Sequence, residues 1–146
     1  MNTYTTGIVA GLIATIVLSA LMLLKGMMGM MPDLDVIAMI AGMMGASALI
    51  GWIAHFMIGA IYGLVFTQVA GHGGMGGTVA RGVGLGIAGW LVMMIVLMPM
   101  TGGGVFGMAM PSGMMVPVAT LMLHVVFGAV LGFSFAKQTG PATITA

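Results

Sequence analysis

The sequence predicts an all-α membrane protein built from four transmembrane helices, and three observations carry that expectation. The chain has 146 residues, 61% of them hydrophobic and only 3% charged, where a soluble domain carries about 25% charged residues. Lys25, Arg81, Lys137, Asp33 and Asp35 are its whole charged inventory. That is too few to keep a body of this size dissolved in water, so lipid is its solvent. Second, four apolar segments, at about 6–24, 48–69, 79–98 and 115–136, each have the roughly 20 residues that cross a bilayer as a helix. Third, none of them alternates with the period of two that a barrel strand needs, and a continuous apolar run satisfies its own backbone in lipid only as a helix. The length leaves no room for a separate soluble domain, so residues 1–146 are read as one transmembrane domain.

The first segment is read as a retained span. A signal peptide would open on a basic region, which is missing here, and Lys25 follows the apolar run directly. Next comes PDLDVIAMIAGMMG at 32–45. Pro32 followed by Asp33 and Asp35 is a helix-start signal, because acids favour the positive end of a helix. About 11 apolar residues are too few to span, so a short helix at about 33–45 is expected, either interfacial or re-entrant. The alternative is one long tilted helix from about 34 into the second span, but Gly42, Gly45 and Ser47 favour a break. After the second span, GHGGMGG at 71–77 reads as a flexible turn with His72 solvated. After the third, TGGGVFGMAMPSG at 101–113 reads as a punctuated loop. The tail beyond Lys137 is polar and expected to fray. Trp52 fits an interfacial anchor, and Trp90, mid-span, is expected to pack inside the bundle. One side of the membrane, side A, then holds the amino terminus, Arg81 and Lys137, while side B holds Lys25, Asp33 and Asp35. The positive-inside rule places side A, with both termini, in the cytoplasm.

Several function classes fall away. A net charge of +1 leaves no electrostatic footprint for nucleic acid. The absence of cysteine excludes disulfides, thiolate metal sites and cysteine nucleophiles. No Ser/His/Asp arrangement can be assembled, so hydrolysis has no nucleophile. GLGIAG at 84–89 matches Gly-x-Gly-x-x-Gly but lies inside a span, without the strand that a dinucleotide site requires. GHGGMGG lacks the Lys-Ser/Thr of a phosphate loop.

One pattern occurs twice. HFMIGAIYGLVF at 55–66 and HVVFGAVLGFSF at 124–135 both read His-x-x-x-Gly-Ala-x-x-Gly-x-x-Phe. Offsets of 0, 4, 8 and 11 fall within about 80° of one another on a helix, so each motif is one narrow stripe. A small residue, Gly51 or Thr120, precedes each histidine by about one turn. A weaker match sets GIVAGLIA at 7–14 against GVGLGIAG at 82–89, and it carries little weight because Gly-x-x-x-Gly is common in membrane helices. Together these predict two tandem helical hairpins, residues 1–70 and 78–137. The repeat is parallel, with a pseudo-two-fold axis along the membrane normal. His55 and His124 then lie at similar depth, about 10–14 Å inside side B at 1.5 Å per residue.

The stripe has two readings. Small residues at every fourth position let helices approach closely in lipid, which makes Gly51, Gly59, Gly63, Gly128 and Gly132 a packing seam with the histidines as hydrogen-bonding partners. Alternatively, an ionisable side chain in a span marks a ligand, ion or proton site. Opposed imidazoles suit copper, iron, nickel or zinc, or a haem held from both faces, so the cofactor stays open between haem and copper. Most of the 20 methionines fall in the side-B regions 25–45 and 98–115. Thioether suits Cu(I), but runs such as KGMMGMMP lack spaced clusters and favour methionine as flexible filler. Asp33, Asp35 and Lys25 are the side-B candidates, as a helix cap or as a cation site completed by loop carbonyls.

The run LMLLKGMMGMMPDLDVIAMIAGMMG at 21–45, followed by GWIAHFMIGAIYG at 51–63, resembles a family of small four-span bacterial membrane proteins of unknown function. The resemblance implies a bacterial inner-membrane location and the four-helix layout, and it carries no activity and no catalytic residue. The expectation is therefore a non-catalytic accessory subunit or binding module of a membrane complex, in contact with lipid and with a membrane-protein partner or a second copy. Metal or haem binding through His55 and His124 is the alternative, followed by a small transporter or proton pathway.

Overall fold

The computed structural model describes residues 2–71 and 74–140. Its elements are α1 (Thr3–Met27), α2 (Val36–Met43), α3 (Ala48–Val69), α4 (Met75–Val92), a π turn (Met93–Leu97), α5 (Met98–Met100), a 3₁₀ turn (Val105–Gly107) and α6 (Met115–Thr139). Four helices are long and apolar enough to cross a membrane, counting Met75–Met100 as one. No strand occurs among the described residues. His72, expected as a solvated loop residue, lies outside them, as does the tail beyond Gly140.

Local signals set the helix ends. Asn2 caps α1, its side-chain oxygen accepting from the Thr5 amide at 2.8 Å, so α1 starts three residues before the apolar run does. Asp35 does the same for α2 through the Ala38 amide at 2.9 Å. The long tilted helix considered as the alternative for this region is overturned. The chain breaks between Met43 and Ala48, where Gly45 takes a left-handed φ of +59°, a conformation that costs glycine nothing. In the third span Pro99 has no amide hydrogen to donate into the helix, and the turn before it is widened to π.

The long helices pair through glycine. α1 crosses α3 where Gly7 and Gly11 meet Gly59 and Gly63, and α4 crosses α6 where Gly82 and Gly86 meet Gly128 and Gly132. A Cβ on Gly11 would strike the Gly59 carbonyl oxygen, and one on Gly63 would strike that of Gly7. Gly82 and Gly128 each face the other's carbonyl oxygen in the same way. The helix backbones are thus in direct contact, the arrangement that small-xxx-small patterns permit in lipid. Gly51 has a different task from the rest of the expected seam. It opens α3 to α2, where a Cβ would lie 2.6 Å from the Ile37 carbonyl oxygen and 3.1 Å from the Ala41 Cβ. α1 also packs along α6, whereas α3 and α4 scarcely touch.

Two apolar clusters fill the bundle. Toward side A, Ala10, Ala14, Phe66, Phe127, Leu131 and Phe135 are buried together. There Phe66 and Phe135 stand edge to face at 5.3 Å, as Tyr62 and Phe127 do at 5.5 Å. Toward side B the cluster is Met31, Leu34, Met93, Met94, Met98 and Val116, flanked by Trp90 and Phe106. Other side-B methionines, such as Met27, Met28, Met100 and Met114, are exposed.

Polar contacts tie the ends. On side A, Arg81 donates to the Ala70 carbonyl at 2.6 Å, just past the end of α3. On side B, Lys25 donates to the Met31 and Leu34 carbonyls at 3.1 and 2.7 Å. Asp33 accepts from the Ser112 hydroxyl at 2.6 Å and from its amide at 3.3 Å, fastening one loop to the other across 79 residues of sequence. The Ser112 hydroxyl holds the Asp33 carboxyl below its ordinary value, with backbone amides and Lys25 adding to it against a smaller opposing effect of burial. A folded value below the unfolded one stabilises at pH above about 3.9, and that contribution is lost as pH falls through the folded value. Circular-dichroism melts in detergent are expected to show a midpoint that drops from about pH 5 to about pH 3, and a smaller drop for Ser112→Ala. Equal drops would remove Asp33–Ser112 as the cause.

Candidate binding cavity

The predicted stripe is the buried face of its helix in α3, where Gly51, His55, Gly59, Gly63 and Phe66 are the buried residues. In α6 the buried face holds Thr120, Phe127, Gly128, Leu131, Gly132 and Phe135, with His124 half-buried on it. Both stripes turn inward, and the two histidines line one cavity of about 150 Å³. Two glycines, Gly59 and Gly89, form part of its wall and put no side chain into the space.

The cavity wall is mostly apolar, with Leu18, Ile58, Val92, Leu97 and Phe127 among its residues. Its polar members come from three of the four long helices and one loop: Thr15 on α1, His55 and Tyr62 on α3, Thr120 and His124 on α6, and Thr101 just after α5. Four thioethers, Met22, Met39, Met43 and Met93, complete it. α2 contributes two of these and so folds back over the site.

The two imidazoles differ. His55 is 7% exposed, with Trp52 edge-on at 5.9 Å and Phe56 at 6.0 Å. Its Nε2 is buried and has no hydrogen-bond partner, which costs about 1–3 kcal/mol in a folded protein. His124 is anchored, its Nδ1 lying 2.8 Å from the Thr120 carbonyl oxygen. A carbonyl only accepts, so Nδ1 carries the proton and Nε2 of the neutral ring keeps its lone pair. Thr120 is itself fixed. Its hydroxyl donates to the Val116 carbonyl at 2.6 Å and accepts from Trp90 Nε1 at 3.1 Å, and the same indole lies 3.1 Å from the Pro117 carbonyl. Trp90 packs inside the bundle as expected, and it supports the residue that orients His124.

Asp33, Asp35 and Lys25 stand apart from this cavity, each with its own partner, as described above. Lys25 and Asp35 line a second cavity of about 650 Å³ toward side B, together with Trp52 and Met30. Met22, Val36, Thr120 and Leu123 border both spaces. Among the described residues, no group of three or more His, Cys, Asp or Glu lies close enough to hold a metal ion. Any metal between the histidines would therefore take thioether or hydroxyl ligands as well.

Sequence reasoning did not single out Tyr62 or Thr15. Tyr62 lies seven residues after His55, two helical turns along, and that spacing is the signal that could have found it. Its hydroxyl lies against Gly89, where a Cβ would collide with it. Thr15 gave no such signal, because its place over Gly59 depends on how α1 crosses α3.

The model of DUF6789, a family of unknown function, matches residues 1–145. The chain belongs to this family. No curated protein and no solved structure matches it.

Proposed function

We propose that the chain is a small, non-catalytic binding module of the bacterial cytoplasmic membrane, serving a membrane complex as an accessory subunit and using the cavity between His55 and His124. One observation carries the reading. Imidazoles from two different helices border the same space within the spans, and one of them has a buried nitrogen without a partner. Intramembrane ionisable residues that face a bundle interior mark ligand or ion sites.

Two sets of contacts support a tandem repeat. The motif's terminal phenylalanines, Phe66 and Phe135, touch each other, as copies of one residue do when they lie on a shared axis. Gly11 meets Gly59 and Gly63 much as Gly82 meets Gly128 and Gly132. This contact register aligns Gly11 with Gly82, one helical turn from the alignment that the residues suggested. Arg81 and Lys137 on side A against Lys25 on side B favour cytoplasmic termini.

A second reading, Cu(I) binding, is favoured by the four methionines around the two imidazoles, a soft donor set. Haem is disfavoured, because about 150 Å³ holds one benzene-sized ring and not a macrocycle.

Gentle detergent extraction followed by native mass spectrometry and elemental analysis tests both readings. The binding module retains one small organic molecule per chain, which the double variant His55→Ala, His124→Ala loses. The copper reading expects about one copper per chain, lost in the same variant. A wild type as bare as the double variant, with an unchanged set of co-purifying proteins, would contradict both.

A further inference from the structure

We infer that the cavity takes the head group of a lipid-soluble molecule, one six-membered ring bearing a hydroxyl, which enters sideways from the bilayer between α3 and α4. The inference rests on the binding-module reading and adds the ligand class and the route.

Size comes first. About 150 Å³ matches a single benzene-sized ring, and the apolar wall suits the face of such a ring. The second observation is the polar chemistry. His124 donates its only ring proton to Thr120, so its remaining nitrogen accepts, and a ring hydroxyl is the donor that complements it. Tyr62 adds a phenolic hydroxyl on the same wall, and His55 contributes the face of a second imidazole. A site with several neutral polar groups and no charged side chain on its wall selects a neutral ligand with one or two oxygens.

The route follows from the packing. α1 lies closely along α6 and seals that side, while α3 and α4 scarcely touch. Ile58 on α3 and Val92 on α4 both line the cavity, yet they are 40% and 56% exposed, as is Met43 at the end of α2, 43% exposed. A residue that is both cavity wall and outer surface marks an opening. This one lies about 15 Å along α3 from its side-B end, at 1.5 Å per residue, which is hydrocarbon depth. A tail leaving through that gap stays in lipid.

The test uses the full chain in lipid nanodiscs and radiolabelled 4-octylphenol, read by scintillation proximity. Saturable binding is expected, displaced by unlabelled 4-octylphenol and at least about tenfold less well by octylbenzene, which lacks the hydrogen bond. Val92→Phe should weaken binding about tenfold by narrowing the gap. Val96→Phe, also lipid-exposed but off the cavity, should leave it unchanged. His124→Phe should remove the preference for the hydroxyl. Octylhydroquinone separates two sources of this chemistry: equal affinity identifies a phenolic ligand, and markedly tighter binding identifies a quinol. Indifference to the hydroxyl, or equal effects of the two phenylalanine variants, would overturn the inference. A wild type that binds none of these probes yet keeps the adduct of the preceding experiment overturns this inference alone. Absence of both removes the binding reading with it.

Discussion

Gly82→Ala lowers the thermal midpoint of the detergent-solubilised protein by several degrees, and Gly84→Ala, two residues along the same helix, does not. The new methyl group at Gly82 meets the Gly128 carbonyl oxygen, with the Gly132 backbone at 2.9–3.1 Å. Backbone atoms of a packed helix cannot rotate away as a flexible side chain can, so α4 and α6 must separate along the crossing. Overpacking of this kind costs about 1–3 kcal/mol, and a contact between backbones belongs at the upper end. At Gly84 nothing lies within 4 Å of the new atom, and alanine gains about 0.5–1 kcal/mol of helix propensity over glycine. The two substitutions therefore move stability in opposite directions. Gly11→Ala against Gly26→Ala repeats the comparison on α1, where the first clashes with Gly59 and the second meets open space. Circular dichroism or intrinsic fluorescence melts give the readout. Matching midpoints for Gly82→Ala and Gly84→Ala would mean that the α4–α6 crossing is not in direct contact.

His55→Phe is expected to stabilise the empty protein and to abolish ligand binding. The buried, unpartnered Nε2 carries a desolvation cost of about 1–3 kcal/mol, which a phenyl ring removes. The new ring keeps the edge contacts with Trp52 and Phe56, worth about 0.5–1.5 kcal/mol per aromatic pair, and the neighbouring cavity takes its extra volume. His124→Phe goes the other way, because it gives up the hydrogen bond to the Thr120 carbonyl, a net loss of about 0.5–1.5 kcal/mol. The contrast is the test. A residue kept for packing should be hard to improve, whereas one kept for a ligand leaves stability unclaimed. If both variants lower the midpoint alike in protein freed of bound molecules, His55 has a structural partner and loses its claim as a ligand-binding group.

The cavity explains how two residues in one motif come to differ. His55 and His124 share a pattern in sequence, but only the carbonyl of Thr120 is engaged by the histidine one turn after it. At the matching place in α3 is Gly51, whose neighbourhood is taken by α2. α2 has no counterpart helix before α6, where the chain forms a 3₁₀ turn instead. The two halves therefore enclose an uneven space, closed along α1 and α6 and open along α3 and α4.

By itself the sequence determined the four spans, the break before the second one, and the faces of α3 and α6 that point inward. All of these depend on interactions within one segment. A helix in lipid bonds its own backbone, and a stripe of small and aromatic residues repeats at helical spacing whatever lies opposite. The tertiary structure decided which glycine meets which, that Asp33 is fastened to Ser112, that Tyr62 and Thr15 join the two histidines, and that one flank of the bundle stays open. These are contacts between segments. Small-xxx-small patterns occur on α1, α3, α4 and α6 alike, so many pairings satisfy them equally, and only the combined shapes of the packed helices select one.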